Sequence, residues 1–185
     1  MDLPGLPALR VICCRGCGVY GLDPQPTLDQ LLPFYDTPYY GSTRKKFIGP
    51  VAKLVEHFQQ QRARMTASVV SAGGRVLDVG CGNGQFLLQL QQRGYAIEGT
   101  ELTEQSRMRT PQSVQPGVHV GELSTLNLPA GSYDAVTMWH VLEHVADPYA
   151  TCVHAAKLLR PGGSMLLSLP NAQSPEAMLF GRHWF

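Results

Sequence analysis

Residues 76–84, Val-Leu-Asp-Val-Gly-Cys-Gly-Asn-Gly, set three alternating glycines directly behind a short apolar run. An amphipathic segment, Gln85 to Gln92, follows without a break. Val76, Leu77 and Val79 read as a strand buried on both faces, the habit of parallel sheets. Gly80, Gly82 and Gly84 let the backbone turn sharply and come close to a ligand, because no Cβ stands in the way. The free N–H groups at the start of the next helix face the same point. The pattern predicts a strand–turn–helix unit with a cofactor on the turn.

Spacing narrows the ligand. A dinucleotide fingerprint reads G-x-G-x-x-G, with a diphosphate on the helix start. Here the third glycine falls one position early. Asp78, two residues before the first glycine, sets a carboxylate beside the pocket, which is awkward for a diphosphate and suits a cationic or zwitterionic ligand. Gly94, after Arg93, has the position of a helix C′ glycine, and Tyr95 to Thr100 reads as a second strand with Glu101 at its end. An acidic residue there can accept both hydroxyls of an adenosine ribose; a solvated strand-end carboxylate is the competing reading.

The remaining elements continue the alternation. Asp147-Pro148 is a cap and first-turn pair for a helix over Tyr149 to Leu159 that stops at Arg160-Pro-Gly-Gly163. Ser164 to Leu169 is the strand after it. Strand alternating with helix argues for a parallel sheet with crossover helices. Upstream, 43–70 looks helical, with Phe47, Val51, Leu54, Val55 and Phe58 on one face, a cap at Ser42 or Thr43, and a break or kink at Pro50.

The glycine loop, Glu101, Gly131-Ser-Tyr-Asp-Ala-Val136, Val141-Leu-Glu-His-Val145 and Leu159-Arg-Pro-Gly-Gly163 occur in that order. The set resembles the class I S-adenosylmethionine-dependent methyltransferases, in the small-molecule branch that includes ubiquinone-biosynthesis-like enzymes, and spans about residues 73–171. The resemblance implies a Rossmann-like, doubly wound α/β sheet with strand order 3-2-1-4-5 and S-adenosyl-L-methionine as cofactor. It assigns Asp78, Gly80, Gly82 and the helix start to the methionine part, and Glu101 to the ribose. Cys81, Gly84 and Leu102 adjoin them as further cofactor-binding positions. Leu123 is an expected apolar wall for the adenine; Glu122 accepts from its amine or is a solvated loop carboxylate. The family sheet has seven strands, and the fifteen residues after Pro170 are too few for the last two and their helix. The expected core therefore lacks them, and its fifth strand is an exposed edge open to self-association.

Methyl transfer from a sulfonium needs in-line positioning, and a base only where the accepting atom loses a proton. Trp139 and His140, at the fourth strand's carboxyl end, are expected to flank the sulfonium or the acceptor. His144 is the nominated base, with His140 and Glu143 as further catalytic candidates; a Glu-His pair capping the turn is the bland alternative. Arg44-Lys45-Lys46, Asn171 and His183-Trp184 are weaker candidates for the acceptor side.

Composition limits the rest. A net charge of +1 offers nucleic acid no basic patch. No apolar run reaches membrane-spanning length, and the first residues lack the cationic and apolar regions of a signal peptide. Five cysteines without even spacing suit a reducing, cytoplasmic compartment. Cys14-x-x-Cys17 looks like one zinc knuckle, half of the four ligands a structural zinc needs; a metal-free turn is the preferred reading. The expected organisation is an irregular segment with this half-knuckle over 1–40, a cap helix and linker over 41–72, the cofactor-binding core over 73–171, and an acceptor-side segment over 172–185. The leading function is methyl transfer to a small-molecule acceptor. A non-catalytic or fragmentary S-adenosylmethionine-binding module and, less favoured, an NAD-dependent oxidoreductase stand beside it.

Overall fold

The computed structural model describes residues 10–27, 30 and 50–181. Helix α1 (Pro50–Val69) leads into strand β3 (Arg75–Val79), and α2 (Gln85–Gln91), β4 (Ala96–Glu101), the short α3 (Glu104–Arg107), β5 (Val118–Val120), β6 (Tyr133–Trp139), α4 (Pro148–Leu158), β7 (Leu159–Ser168) and α5 (Pro175–Phe180) follow. A separate antiparallel hairpin, β1 (Arg10–Cys13) with β2 (Tyr20–Asp23), precedes them. The five later strands pair in parallel in the order β5-β4-β3-β6-β7. Counted from β3, that is the expected 3-2-1-4-5.

Strand β3 lies at the centre because it is apolar on both sides. Val76 and Leu77 are neighbours, point to opposite faces, and are both fully buried. On one face Val76, Val118 and Ala135 meet Phe86, Leu87 and Leu90 of α2 with Ala63 of α1. On the other, Leu77, Val79, Val136 and Met138 pack with Ala155 and Leu158 of α4. Each fully buried leucine here contributes about 1.5–3 kcal/mol. Helix α4 starts where its cap predicts: Asp147 accepts the Ala150 N–H at 2.8 Å.

One carboxylate ties four strands together. Glu98 of β4 accepts from the Arg75 guanidinium of β3 at 2.7 Å and the Tyr133 hydroxyl of β6 at 2.9 Å, and pairs with His119 Nε2 of β5 at 2.9 Å. Arg75 also lies over the Tyr133 ring, 4.7 Å from its centroid. Burial works to raise the Glu98 pKa, but the bonds from His119, Arg75 and Tyr133 outweigh it and hold the carboxyl below its ordinary value.

Three expectations are corrected. Helix α1 is described from Pro50 on; 42–49, with the expected cap at Ser42 or Thr43, Phe47 and Arg44-Lys45-Lys46, lie outside the described residues. The stripe of Val51, Leu54 and Phe58 is about half exposed, and α1 packs instead through Ala63 and Thr66, small enough to let it approach the core. The last strand starts at Leu159 rather than Ser164. Between Tyr133↔Leu159 and Ala135↔Ser164, β6 advances two residues and β7 five, so Arg160-Pro-Gly-Gly163 bulges inside the strand instead of preceding it. The segment over 1–40 contains regular structure: the hairpin closes on Cys14–Val19, with the Cys14 N–H donating to the Val19 carbonyl at 2.8 Å. His183 and Trp184 lie outside the described residues.

Glu98→Gln should lower stability at neutral pH by about 1–3 kcal/mol. The carboxyl is held below its ordinary value, so its contribution is present above the carboxylate range and is lost as the pH falls through its folded value. In urea titrations the gap between wild type and variant should therefore close towards pH 3; a gap that is constant with pH would contradict the assignment.

Candidate functional site

Strand β3 ends at Val79 and the chain turns through Gly80, Cys81, Gly82 and Asn83 into α2 at the carboxyl edge of the sheet. Gly82 takes a φ of 59°, and a Cβ placed there meets nothing within 4 Å, so this stretch of backbone is open to a ligand. Gly84 is glycine for another reason. A Cβ there would lie 2.9 Å from Thr110 and 3.1 Å from Pro111, so the residue serves close packing of the helix start. Glu101, at the end of β4, accepts the Gly82 N–H and thereby stands against the loop, with Leu102 next to it. Burial raises its pKa, against the backbone N–H bonds of Gly82 and Leu102 and the charge of Arg109.

Asp78 is the most perturbed acid. It is 2% exposed, and burial pushes its pKa up to about 7, although the Thr137 hydroxyl donates to it at 2.6 Å and the Arg62 charge works in the same direction. Arg62, from α1, is itself half-buried; burial lowers its pKa while Asp78 raises it. Its guanidinium lies over the Trp139 indole at 5.1 Å, and that ring meets Phe86 edge-on at 5.5 Å. Burial also pushes the Cys81 thiol up, with Asp78 and Glu101 adding to it, so it is no nucleophile.

Two cavities open here. The first, about 140 Å³, is lined by Asp78, Gly80, Cys81, Gly82, Asn83 and Phe86 with Gln59, Arg62 and Trp139. It has room for one end of a ligand rather than the whole. Gln59 Oε1 and Trp139 Nε1 are buried without a hydrogen-bond partner among the described residues, which is costly unless a ligand supplies one. The second, about 320 Å³, lies between α1 and the ends of β6 and β7, lined by Phe58, Gln61, Arg62, Met65, Trp139, His140, Leu167 and Ser168. Arg62 and Trp139 belong to both.

The structure thus brings Asp78, Gly80, Cys81, Gly82 and Trp139 to one cavity, with Glu101 bonded to its loop, and sets His140 on the other. Glu122 leads into a 3-10 turn, Leu123–Thr125, and Leu123 is packed in the core beside Val79. Glu143 sits in the turn Leu142–His144 and faces His140, Nδ1 to Oε1 at 3.3 Å. His144 is in the same turn, its N–H donating to the Val141 carbonyl, and lines neither cavity. Asn171 accepts the Gln173 N–H at 3.0 Å in the turn after β7. Cys14 and Cys17 flank the hairpin turn, where backbone N–H groups of Cys17 and Gly16 lower the Cys14 thiol; among the described residues no group of three His, Cys, Asp or Glu is placed to hold a metal. Sequence reasoning missed Gln59 and Arg62. Their signal is their place on the packed stripe of α1 with Ala63 and Thr66, visible only once the packed face is known.

A family described as "Methyltransferase domain" matches residues 52–185. The chain is 39% identical over 119 residues to the ubiquinone biosynthesis O-methyltransferase of Xanthomonas axonopodis pv. citri, covering 61% of this chain and 49% of that protein. It is 38% identical over 116 residues to the enzyme of that name from Bordetella avium, covering 58% and 47%. It therefore spans about half the length of these relatives. Among solved structures, an S-adenosylmethionine-dependent methyltransferase from Mesorhizobium loti aligns with a TM-score of 0.52 at 26% identity, over 63% of this chain and 55% of that one. One from Archaeoglobus fulgidus shares the fold with a TM-score of 0.57 at 21% identity, over 80% and 62%. The chain belongs to the class I S-adenosylmethionine-dependent methyltransferases.

Proposed function

We propose that this chain transfers a methyl group from S-adenosyl-L-methionine to a small-molecule acceptor held in the second cavity. The observation that carries the reading is that the two cavities adjoin: Arg62 and Trp139 line both, so ligands in the two would meet beside these side chains. A module that only bound nucleotide would have no use for the second cavity beside the first. A dinucleotide is disfavoured by Asp78, whose carboxylate would face a diphosphate.

The residues present fit the cofactor. Gln59 Oε1, buried without a partner among the described residues, and Asp78 are acceptors suited to its ammonium group; Arg62 suits its carboxylate; the open backbone at Gly82 admits it closely; Glu101 suits the ribose hydroxyls. Bound there, the cofactor supplies an electrophilic methyl on a sulfonium. The protein orients the two reactants and excludes water between them, from which a large share of such a rate arises. The adenine side is assigned to Leu102, Glu122 and Leu123.

Cytoplasmic residence is part of the reading, on the unpaired state of all five cysteines. No helix among the described residues is long and apolar enough to cross a membrane. Self-association through the outer edge of β7 is proposed as well, since among the described residues that strand pairs only with β6; sedimentation of the purified chain checks it.

Calorimetry with S-adenosylhomocysteine and 5′-methylthioadenosine separates the assignments. Glu101→Ala should weaken both by about tenfold or more, roughly 1.4 kcal/mol. Arg62→Ala should weaken only the first, because the second lacks the amino-acid end; equal losses would remove Arg62 from the carboxylate.

Asp78 predicts a pH dependence. Its folded pKa, about 7, lies above its unfolded value, so folding favours the protonated form. That contribution is whole below the unfolded value and is lost as the pH rises through about 7. The melting-temperature difference, wild type minus Asp78→Asn, should fall from pH 5 to pH 7.5 and then level; a difference that rises over that interval would reverse the assignment.

A further inference from the structure

The hairpin of β1 and β2 has no part in the site described above. Among the described residues it lines neither cavity and joins neither core cluster. Its strands are exposed along their length but for Asp23, which is half-buried. A lone two-stranded hairpin is marginal in water, and elements this small are held by a metal, a cross-link or association. Register sorts its side chains. Pairing runs from Arg10↔Asp23 to Cys13↔Tyr20, and the Cys14 N–H, donating to the Val19 carbonyl at 2.8 Å, continues it by one pair. Alternation then sets Ile12 and Cys14 on one side, with Gly21 and Val19 across from them. Ile12 is 50% exposed and Val19 65%. Gly21 adds no side chain, and the Arg10–Asp23 ion pair, at 2.7 Å, bounds the far end of this face.

The turn beyond holds two sulfurs together. The Gly18 N–H donates to the Cys14 carbonyl at 2.9 Å, and the Cys14 sulfur folds back over the turn, where a Cβ at Gly16 would lie 3.9 Å from it. The Cys17 side chain bonds to that sulfur. The Cys13 sulfur is engaged otherwise, facing the Cys14 carbonyl at 3.8 Å and the Gly18 carbonyl at 3.7 Å. In a reducing compartment a close, exposed pair of cysteines reads as a metal site or a catalytic thiol rather than a disulfide. Among the described residues no third His, Cys, Asp or Glu joins this pair, so a catalytic thiol would lack its base. Zinc takes four ligands in a tetrahedron, and the turn supplies two. The next cysteine or histidine after Cys17 is His57, which faces Gln61 on α1.

We infer that Cys14 and Cys17 form half of a zinc site, that the same two cysteines of a second copy complete it, and that the hairpin is a metal-dependent dimerisation element. A twofold axis through the metal lets one pair of residues serve both halves. Each thiol gives its proton to solvent as its sulfur binds, and nothing is oxidised. Four thiolates around a divalent cation carry a net charge of about −2, and Arg15, set between the two ligands in the turn, brings one permanent positive charge from each copy against it. Ile12 and Val19 beside the sulfurs supply the apolar centre of the contact, and the Arg10–Asp23 pair its polar rim. The dimer is independent of the methyl-transfer reading. It also differs from association through β7, which needs no metal.

The test uses the full chain with its thiols reduced, stripped by a chelator and then titrated with zinc or with cobalt(II) as a spectroscopic probe. Sedimentation should show monomer passing to dimer, complete at about one metal for every two chains. The cobalt form should show the intense charge-transfer and visible bands of a tetrahedral four-thiolate site. Cys14→Ser or Cys17→Ser should abolish both the bands and the metal-dependent dimer, whereas Cys13→Ser should keep both. Val19→Lys leaves the ligands in place and should weaken the zinc dimer by about tenfold or more, roughly 1.4 kcal/mol. Thermal melting of each metal-free variant should match that of the metal-free wild type, because the hairpin joins neither core cluster. Zinc bound one to a monomer, association that zinc and chelator leave unchanged, cobalt bands lost in Cys13→Ser, or a Val19→Lys variant that dimerises as the wild type does would each overturn the inference.

Discussion

A carboxylate almost without water stands at the head of the central strand, and much of the site is arranged around it. Asp78 is satisfied by one short bond from Thr137 on β6 and by the charge of Arg62 on α1. Arg62 in turn rests on Trp139, and Trp139 on Phe86 of α2. One chain of contacts thus joins the central strand, its neighbour β6, the cap helix and the loop's own helix. Buried charge of this kind is a poor source of stability, since desolvation offsets most of the attraction. Apolar side chains of similar volume would hold α1 as well. What they would not do is leave a carboxylate, a guanidinium and the orphaned Gln59 and Trp139 atoms around one opening, which is why the arrangement reads as a binding site.

How legible this was depends on the length scale over which each feature is encoded. The turn at 80–84, the Asp147-Pro148 cap and the strand order could be read because each depends on local chain chemistry or on simple alternation. The packed face of α1 could not. Val51, Leu54 and Phe58 are the more apolar stripe, yet Ala63 and Thr66 are buried, because closeness to the core rewards small side chains rather than large ones. Phe58 and Met65 stay partly open and line the second cavity. The β7 boundary failed because proline and two glycines normally end an element, and here they form a bulge within one. The different settings of His140 and His144 have the same origin as α1: residues four apart in a short irregular turn point in directions that spacing alone does not set, and the His140 N–H bonds to Ser168 of β7 rather than to its neighbours in sequence. The place of Glu101 against the loop, by contrast, was legible, because a strand end beside a glycine loop has few places to go.

Two acids one register step apart show how the fold divides structure from chemistry. Leu77 pairs with Glu98 across β3 and β4, and Asp78 with Gly99. Glu98 lies on the face where Arg75, His119 and Tyr133 all reach it, so its ionised form is over-supplied with donors and its pKa falls. Asp78 lies on the opposite face with one hydroxyl and a half-buried guanidinium, so burial dominates and its pKa rises. The first is a clamp that works best as a permanent anion. The second is an anion the protein alone does not fully support, and a ligand carrying positive charge would complete it. Environments that push two like groups apart mark their separate roles. A carboxylate held ionised by its own fold would gain little from such a ligand. On the proposed assignment of Asp78 to the cofactor's ammonium group, burial that pushes its pKa up to about 7 would couple binding to proton release, and affinity would rise with pH until Asp78 is ionised in the free protein.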